Sequence, residues 1–350
     1  MTLVPLPSNH SAARRPSHRV AASIVVLNLN GRRHLSPLLA HLAQQTVRDF
    51  ELIFVDNGSS DDSIPLVEQG CAAYGIPLQL VRNAANAGFA PACNQGLAVA
   101  RAPWIAMLNN DTRPEAAWLE QLLAAAATGP RVGMVASKML RFHRPDQIDS
   151  AGIAVDWAGI AWDWRGGEAD MPDEQALVEI FGPCGGAALY NRQLMLAMGG
   201  YDADFFAYLE DVDLAWRARL AGWQCLLQPQ ARVLHAHSST LGDASPFKRF
   251  LLGRNKVWLL VKNLPDADLW RAGPIMAGYD VLAAGYGFVQ RGDLASLRGR
   301  MAGLAGLARI WPKRKLVQAQ TCDVDNWRRF MSPRVPPLQV PRRYAHLAEG

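Results

Sequence analysis

Short apolar runs alternate with polar loops and helical stretches through the first third of the chain. Ala22 to Leu29 is β-branched and apolar, and its length predicts a buried strand. After the turn at Asn30-Gly31, Leu35, Leu38, Leu39 and Leu42 recur at helical spacing. Glu51 to Val55 predicts a second strand, Ile64 to Tyr74 a helix, and Leu78 to Val81 a third strand. A helix over Ala90 to Arg101, a fourth strand over Trp104 to Leu108 and a helix over Trp118 to Ala127 complete the pattern.

This alternation predicts an α/β fold with a doubly wound, mostly parallel sheet. Right-handed crossovers then bring the C-terminal ends of the strands to one edge, where ligands bind in such sheets. Polar residues collect at those ends: Asn28 and Asn30, then Asp56 to Asp61, then Arg82 to Phe89, then Asn109 to Asp111.

Beyond Gly133 the pattern changes. Val132 to Met139 reads as a further strand, and Asp149 to Gly167 as a ribbon or loop lined with rings. Gly182 to Ala187 is a turn of small residues, where a ligand or a backbone can approach closely. Phe205 to Trp223 leads two aromatics into Glu210, Asp211 and Asp213, then into what reads as a basic amphipathic helix with Asp211 near its N-cap. Asp213 and Arg217, four apart, are placed to pair. A strand is expected around Cys225 to Leu227. From Phe247 the chain reads as helices, apolar but interrupted by charges and glycines, which suit a membrane interface better than a crossing. The resulting division is a basic, disordered arm (1–19), an α/β unit (20–245), a helical and membrane-associated region (246–320) and an extended basic tail (321–350).

Charge supports that division. The 350 residues carry 36 Lys and Arg against 31 Asp and Glu. From Arg291 onward there are twelve basic and four acidic residues, so the rest is mildly acidic. A basic end behind an acidic body predicts an anionic partner. Nucleic acid is not expected, because the arginines are interleaved with Leu, Ala and Gly and form no recognition motif. The five cysteines are scattered and include no CxxC, against a disulfide frame or a zinc site. No apolar run of about 20 residues is present, and the N-terminus lacks the apolar run of a signal peptide. The expected setting is therefore cytoplasmic, peripheral to the inner face of the membrane.

Clustered carboxylates repel unless a cation or a transferable proton uses them. Asp56, Asp111, Asp211 and His235 make a candidate constellation. A nucleoside-diphosphate leaving group needs a cation, which carboxylate oxygen and imidazole can hold. A base must also stand near an acceptor hydroxyl.

The ordered set SIVVLNLNG, VDNGSSD, RNAANAGFAPACNQG, LNNDT, GGYDADFFAYLEDVDLAWRARLAGW and PQARVLHAHSST resembles glycosyltransferase family 2, in its rhamnosyltransferase-like branch, over Ala22 to Leu264. The resemblance implies a GT-A fold, with a Rossmann-like nucleotide-sugar half (20–130) and an acceptor half (131–245). It implies inverting, metal-dependent transfer in the synthesis of bacterial surface polysaccharide. The donor would be a dTDP- or UDP-linked sugar, and the acceptor a glycan or a polyprenyl-diphosphate-linked glycan. Carried over, Asp211 is the base with Glu210 beside it, and Asp111 and His235 hold Mg²⁺ or Mn²⁺. Asn28, Asp56, Asn57, Arg82, Asn86, Gly88, Asn94, Asn109 and Asn110 bind the donor. Trp157, Gly185, Gly186 and Trp216 fall on the acceptor side. The family's first DxD acid is Asn109 here, which adds no charge. A sugar nucleotidyltransferase and a non-catalytic sugar-binding protein are the alternatives; no GxGxxG follows the first strand to suggest a dinucleotide enzyme.

Overall fold

The computed structural model describes residues 20–236, 245–323, 325–336 and 339. The arm at 1–19, His237 to Thr240 and most of the tail after 336 lie outside the described residues. Four parallel strands, β1 (Ala22–Asn28), β2 (Phe50–Asp56), β3 (Leu78–Arg82) and β4 (Trp104–Asn109), alternate with helices α1 (Arg32–Ala43), α2 (Ser63–Tyr74) and α3 (Phe89–Val99). A short β5 (Thr112–Pro114) and α4 (Trp118–Ala126) follow. Next come β6 (Val132–Arg141), β7 (Arg144–Ser150), β8 (Ile153–Asp156), β9 (Ala161–Asp163), β10 (Val178–Glu179), β11 (Ala187–Asn191) and the short α5 (Arg192–Ala197). Helix α6 (Glu210–Leu220) and β12 (Gln224–His235) precede the C-terminal helices α7 (Pro246–Asn263), α8 (Asp266–Arg291), α9 (Leu294–Ala305) and α10 (Leu307–Ala319), and β13 (Met331–Ser332) comes last.

The main sheet runs β10-β12-β6-β11-β4-β1-β2-β3. It is mostly parallel, with β11 inserted antiparallel between β4 and β6. The central strands are buried on both faces and read as continuous apolar runs, as covered parallel strands do. Helix α1 covers one face with Leu35, Leu38, Leu39 and Leu42, all buried. The ribbon expected over 149–167 is a three-stranded sheet, β13-β8-β9, whose third strand comes from the chain's end.

Three expectations change. Helix α6 is not amphipathic: from Val212 to Leu220 it is buried throughout. Its arginines point inward because each finds partners there. Arg217 pairs with Asp213 at 2.8 Å, and Arg219 with Glu179 at 2.7 Å. Asp211 does lie near the N-cap, in the first turn two residues after Leu209, which takes the N-cap place in the left-handed region at φ 65° without a side-chain cap. The segment at 325–336 is no free tail: buried Trp327 stacks on Trp216 and Trp157, with centroids 5.2 and 5.4 Å apart. The C-terminal helices likewise share the core, Trp258, Leu259 and Ile310 packing in one cluster with Phe205 and Trp216.

Candidate active site

The strand ends meet in a cleft of about 370 Å³. Its walls include Asn57, Asn86, Gly88, Asn109, Asn110, Asp111, Gly185, Gly186, Glu210, Asp211 and His235. One side is stitched together by asparagines. Asn57 Nδ2 donates to Asn86 Oδ1 at 2.9 Å, while Asn57 Oδ1 accepts from Asn83 Nδ2 and the Ala87 amide. These bonds fasten the loop after β3 to the end of β2. Asn28 and Asp56 lie just beneath the lining, 0 % and 2 % exposed. Asn28 accepts from Asn110 Nδ2 at 2.7 Å, and Asp56 Oδ2 accepts from the Ser59 amide at 3.0 Å. Gly88 has φ +97°, and a Cβ there would sit 2.5 Å from the Phe206 ring.

Four expected site residues lie elsewhere. Arg82 turns away and pairs with Glu68 at 2.9 Å on the surface. Asn94 grips the backbone of Tyr201, donating to its carbonyl and accepting from its amide. Buried Trp216 and half-buried Trp157 pack at a tilt against Trp327, and neither lines the cleft. Their apolar area finds more burial in the core than at a wet cleft.

At one end of the cleft, β5 pairs with β12 so that Thr112 lies opposite His235. This register brings Asp111 Oδ1 to 3.3 Å from His235 Nε2. The other ring nitrogen, Nδ1, lies 2.7 Å from Asp149 Oδ2 on β7. Burial works against charge on His235, but the hydrogen bonds and charges of Asp111 and Asp149 outweigh it and push the pKa up to about 10. Asp149 was not among the candidates; nothing in its spacing ties it to a histidine 86 residues away.

At the other end stands the start of α6. Asp211 Oδ2 accepts from the Gly185 amide at 2.9 Å, and Oδ1 from the Val212 amide at 2.8 Å. Burial, with Asp163's charge adding to it, outweighs those bonds and raises its pKa to about 6. Glu210 is raised further, by burial and then by Asp211's charge, and its Oε2 is buried without a hydrogen-bond partner. The loop before them is strained: Phe206, Tyr208 and Leu209 all have φ of 65–70°. Asn255 of α7 holds it, its Nδ2 lying within 3.0 Å of the carbonyls of Phe205, Ala207 and Tyr208. Arg254 adds bonds to the carbonyls of Asp204 and Phe205. Lys248, also on α7, lines the cleft and lies over the Tyr208 ring. Neither the place of Lys248 in the cleft nor that of Asn255 under the loop was legible locally, because both depend on where α7 docks.

The family described as Glycosyl transferase family 2 matches residues 23–197. The chain belongs to this family. It is a glycosyltransferase, with the GT-A fold. The chain is 28 % identical over 249 residues to the N-acetylglucosaminyl-diphospho-decaprenol L-rhamnosyltransferase of Mycobacterium tuberculosis, covering 63 % of this chain and 78 % of that protein. It is 27 % identical over 287 residues to the pre-mycofactocin glycosyltransferase of the same species, covering 81 % of this chain and 56 % of the relative. Among solved structures, S. aureus TarS 1–349 in complex with UDP superposes with a TM-score of 0.51 at 16 % identity, over 93 % of this chain and 92 % of that one. GalNAc-T7 with UDP, GalNAc and Mn²⁺ gives 0.57 at 16 % identity, over 70 % of this chain and 48 % of that one.

Proposed function

We propose that this glycosyltransferase moves a sugar from a dTDP- or UDP-linked donor to a lipid-linked glycan, with inversion, at the inner face of the cytoplasmic membrane. The observation that carries the mechanism is Asp211: a half-buried carboxylate fixed by two backbone amides, basic enough to take a proton and ionised at neutral pH. The acceptor oxygen attacks the anomeric carbon, the bond from that carbon to the diphosphate oxygen breaks, and Asp211 receives the hydroxyl proton. The nucleoside diphosphate departs from the opposite face, so the anomeric configuration inverts. Glu210, its carboxyl pushed up by burial and then by Asp211's charge, keeps one oxygen buried without a hydrogen-bond partner, which favours Asp211 as the base.

Asp111 and His235 fit a divalent cation. Their facing atoms form a 3.3 Å ion pair, and a divalent cation held there would take the place of the proton on His235 Nε2. Among the described residues no group of three or more His, Cys, Asp and Glu side chains could hold an ion, so the donor's phosphates would have to supply further ligands. When bound, Mg²⁺ or Mn²⁺ neutralises charge on the leaving diphosphate. Asp149, on Nδ1, holds the imidazole with Nε2 toward Asp111, the orientation a metal-binding histidine would need. The solved mannosyltransferase with GDP-Man and Mn²⁺, a fold neighbour at a TM-score of 0.50, lends support to this reading.

The mycobacterial rhamnosyltransferase makes dTDP-rhamnose the first donor to test and a diphospho-polyprenol-linked sugar the first acceptor. Among the described residues no helix is long and apolar enough to cross a membrane, so contact would be peripheral. The test is transfer to a short lipid-linked acceptor with NMR of the product. Free nucleoside diphosphate with an inverted linkage is expected; a retained anomer overturns the mechanism.

A further inference from the structure

Far from the transfer chemistry, α7, α8 and α9 enclose an apolar groove of about 500 Å³. Leu260, Val261, Met276, Val281, Phe288 and Met301 are among its walls. Three charged side chains reach it: Asp280, with Lys256 at 3.1 Å and Arg300 at 2.7 Å. The trio leaves one net positive charge on an otherwise greasy surface. Close packing of α9 on α7 opens the groove. A Cβ on Gly299 would fall 2.1 Å from the Phe250 carbonyl oxygen, so only glycine permits the contact. That contact uses the glycine face of α9 and leaves Leu297, Met301 and Leu304 39 %, 59 % and 53 % exposed on another. Across from them Val281 and Phe288 are 71 % and 50 % exposed. Contiguous apolar surface of this kind marks a binding site.

We propose that the groove receives the hydrocarbon chain of the anionic, lipid-linked acceptor; this rests on the reading of the acceptor above. Three observations favour that occupant. The volume and the helical walls suit a single chain rather than a flat surface. The net cation suits a lipid that carries phosphate. The groove and the cleft are also lined by the same helix, α7, with Lys248 in the cleft and Lys256 in the groove. Arg254 and Asn255 hold the catalytic loop, and the next residue, Lys256, is already groove wall. From Lys248 in the cleft to Leu260 in the groove is about 18 Å of helix. A sugar diphosphate lying along that stretch would place its hydroxyl at the cleft while its chain occupies the groove.

The test uses the full chain and the double variant V281E/M301E, whose changes fall on exposed side chains. Binding is read with a dansyl-labelled farnesyl diphosphate. Transfer is read with one sugar diphosphate carried on a polyprenyl chain and on a short water-soluble tail. The variant should bind the probe about tenfold more weakly. It should show a KM raised by about the same factor for the polyprenyl acceptor, with the short acceptor unaffected. Equal probe affinity in both proteins overturns the proposal, whatever the activity. If, with equal probe affinity, the variant alone loses binding to acceptor-free anionic vesicles, the face is a membrane surface. If it alone loses self-association, the face is an interface between copies; either result overturns a chain site. Probe binding that V281E/M301E weakens, in a protein that glycosylates neither acceptor, supports the groove and overturns the acceptor reading instead.

Discussion

Glu210 and Asp211 are neighbours in the chain and chemically unlike. Asp211 has two amide donors and is partly exposed in the cleft, whereas Glu210 has a partnerless buried oxygen. Replacing Asp211 with Asn should lower kcat by about 10²- to 10⁴-fold while leaving nucleotide affinity near that of the wild type. Steady-state kinetics with a binding isotherm measures both, and retained activity would move the base to Glu210. Because the pKa of Asp211 is raised to about 6, the base form is lost as pH falls below that value. The kcat/KM profile should therefore rise through about pH 6 in the wild type, and this limb should vanish in Asp211→Asn. Asp149→Asn should weaken Mn²⁺ binding in the presence of nucleoside diphosphate by about 10- to 100-fold, as loss of a partner to a metal-binding histidine does. Titration of free Mn²⁺ by electron paramagnetic resonance reads this without turnover. Asp111, His235 and Asp211 stood out in the sequence because each sits in a motif. Asp149 did not, since its role comes from strand pairing and not from its neighbours.

At the scale of elements, α6 carries the main correction. Its Arg and Asp residues suggest a solvated face, but Asp213 is fully buried and bonded to Arg217, Lys262 and Asn263. Burial alone would raise the carboxyls of Asp213 and Asp202, yet Lys262, with Arg217 at the first and Lys313 at the second, holds both below the usual range. A carboxyl depressed in the folded state adds stability above the unfolded value, so this contribution is present above about pH 4 and is lost as pH falls below it. Lys262→Met leaves those acids short of a partner and should destabilise the fold by about 3–5 kcal/mol, read from urea unfolding at neutral pH. Asn255→Ala tests the latch on the strained loop. Three carbonyls lose a donor, so stability should fall by about 1–3 kcal/mol, and kcat should fall with little change in donor KM. Faster hydrogen exchange at residues 205–209 would accompany it; unchanged exchange and kcat would show that the loop holds itself.

For the molecule as a whole, the strand ends of the α/β part form most of the cleft, and Lys248 of α7 completes its lining. A nucleotide at about 100 times its dissociation constant should add about 2.7 kcal/mol to stability, and more with Mn²⁺ than without if Asp111 and His235 hold the ion. Thermal shifts across dTDP, UDP and GDP sugars would identify the base, and an identical shift in Asp111→Asn would count against that ion site. The sequence by itself determined the strand–helix alternation, the edge where polar loops converge, and the family, because apolar period and turn chemistry are local. It also placed Asp111, Asp211, His235 and the asparagine-rich loops. Tertiary structure decided what depends on distant pairing. It sent Arg82 outward, Trp216 into the core and Trp157 against it, set Asp149 on His235, and brought Asn255 under the loop at 205–209. Burial and hydrogen-bond partners assign those roles, and both are fixed only when segments 40 to 150 residues apart come together, as Glu179 does with Arg219 and with Arg329.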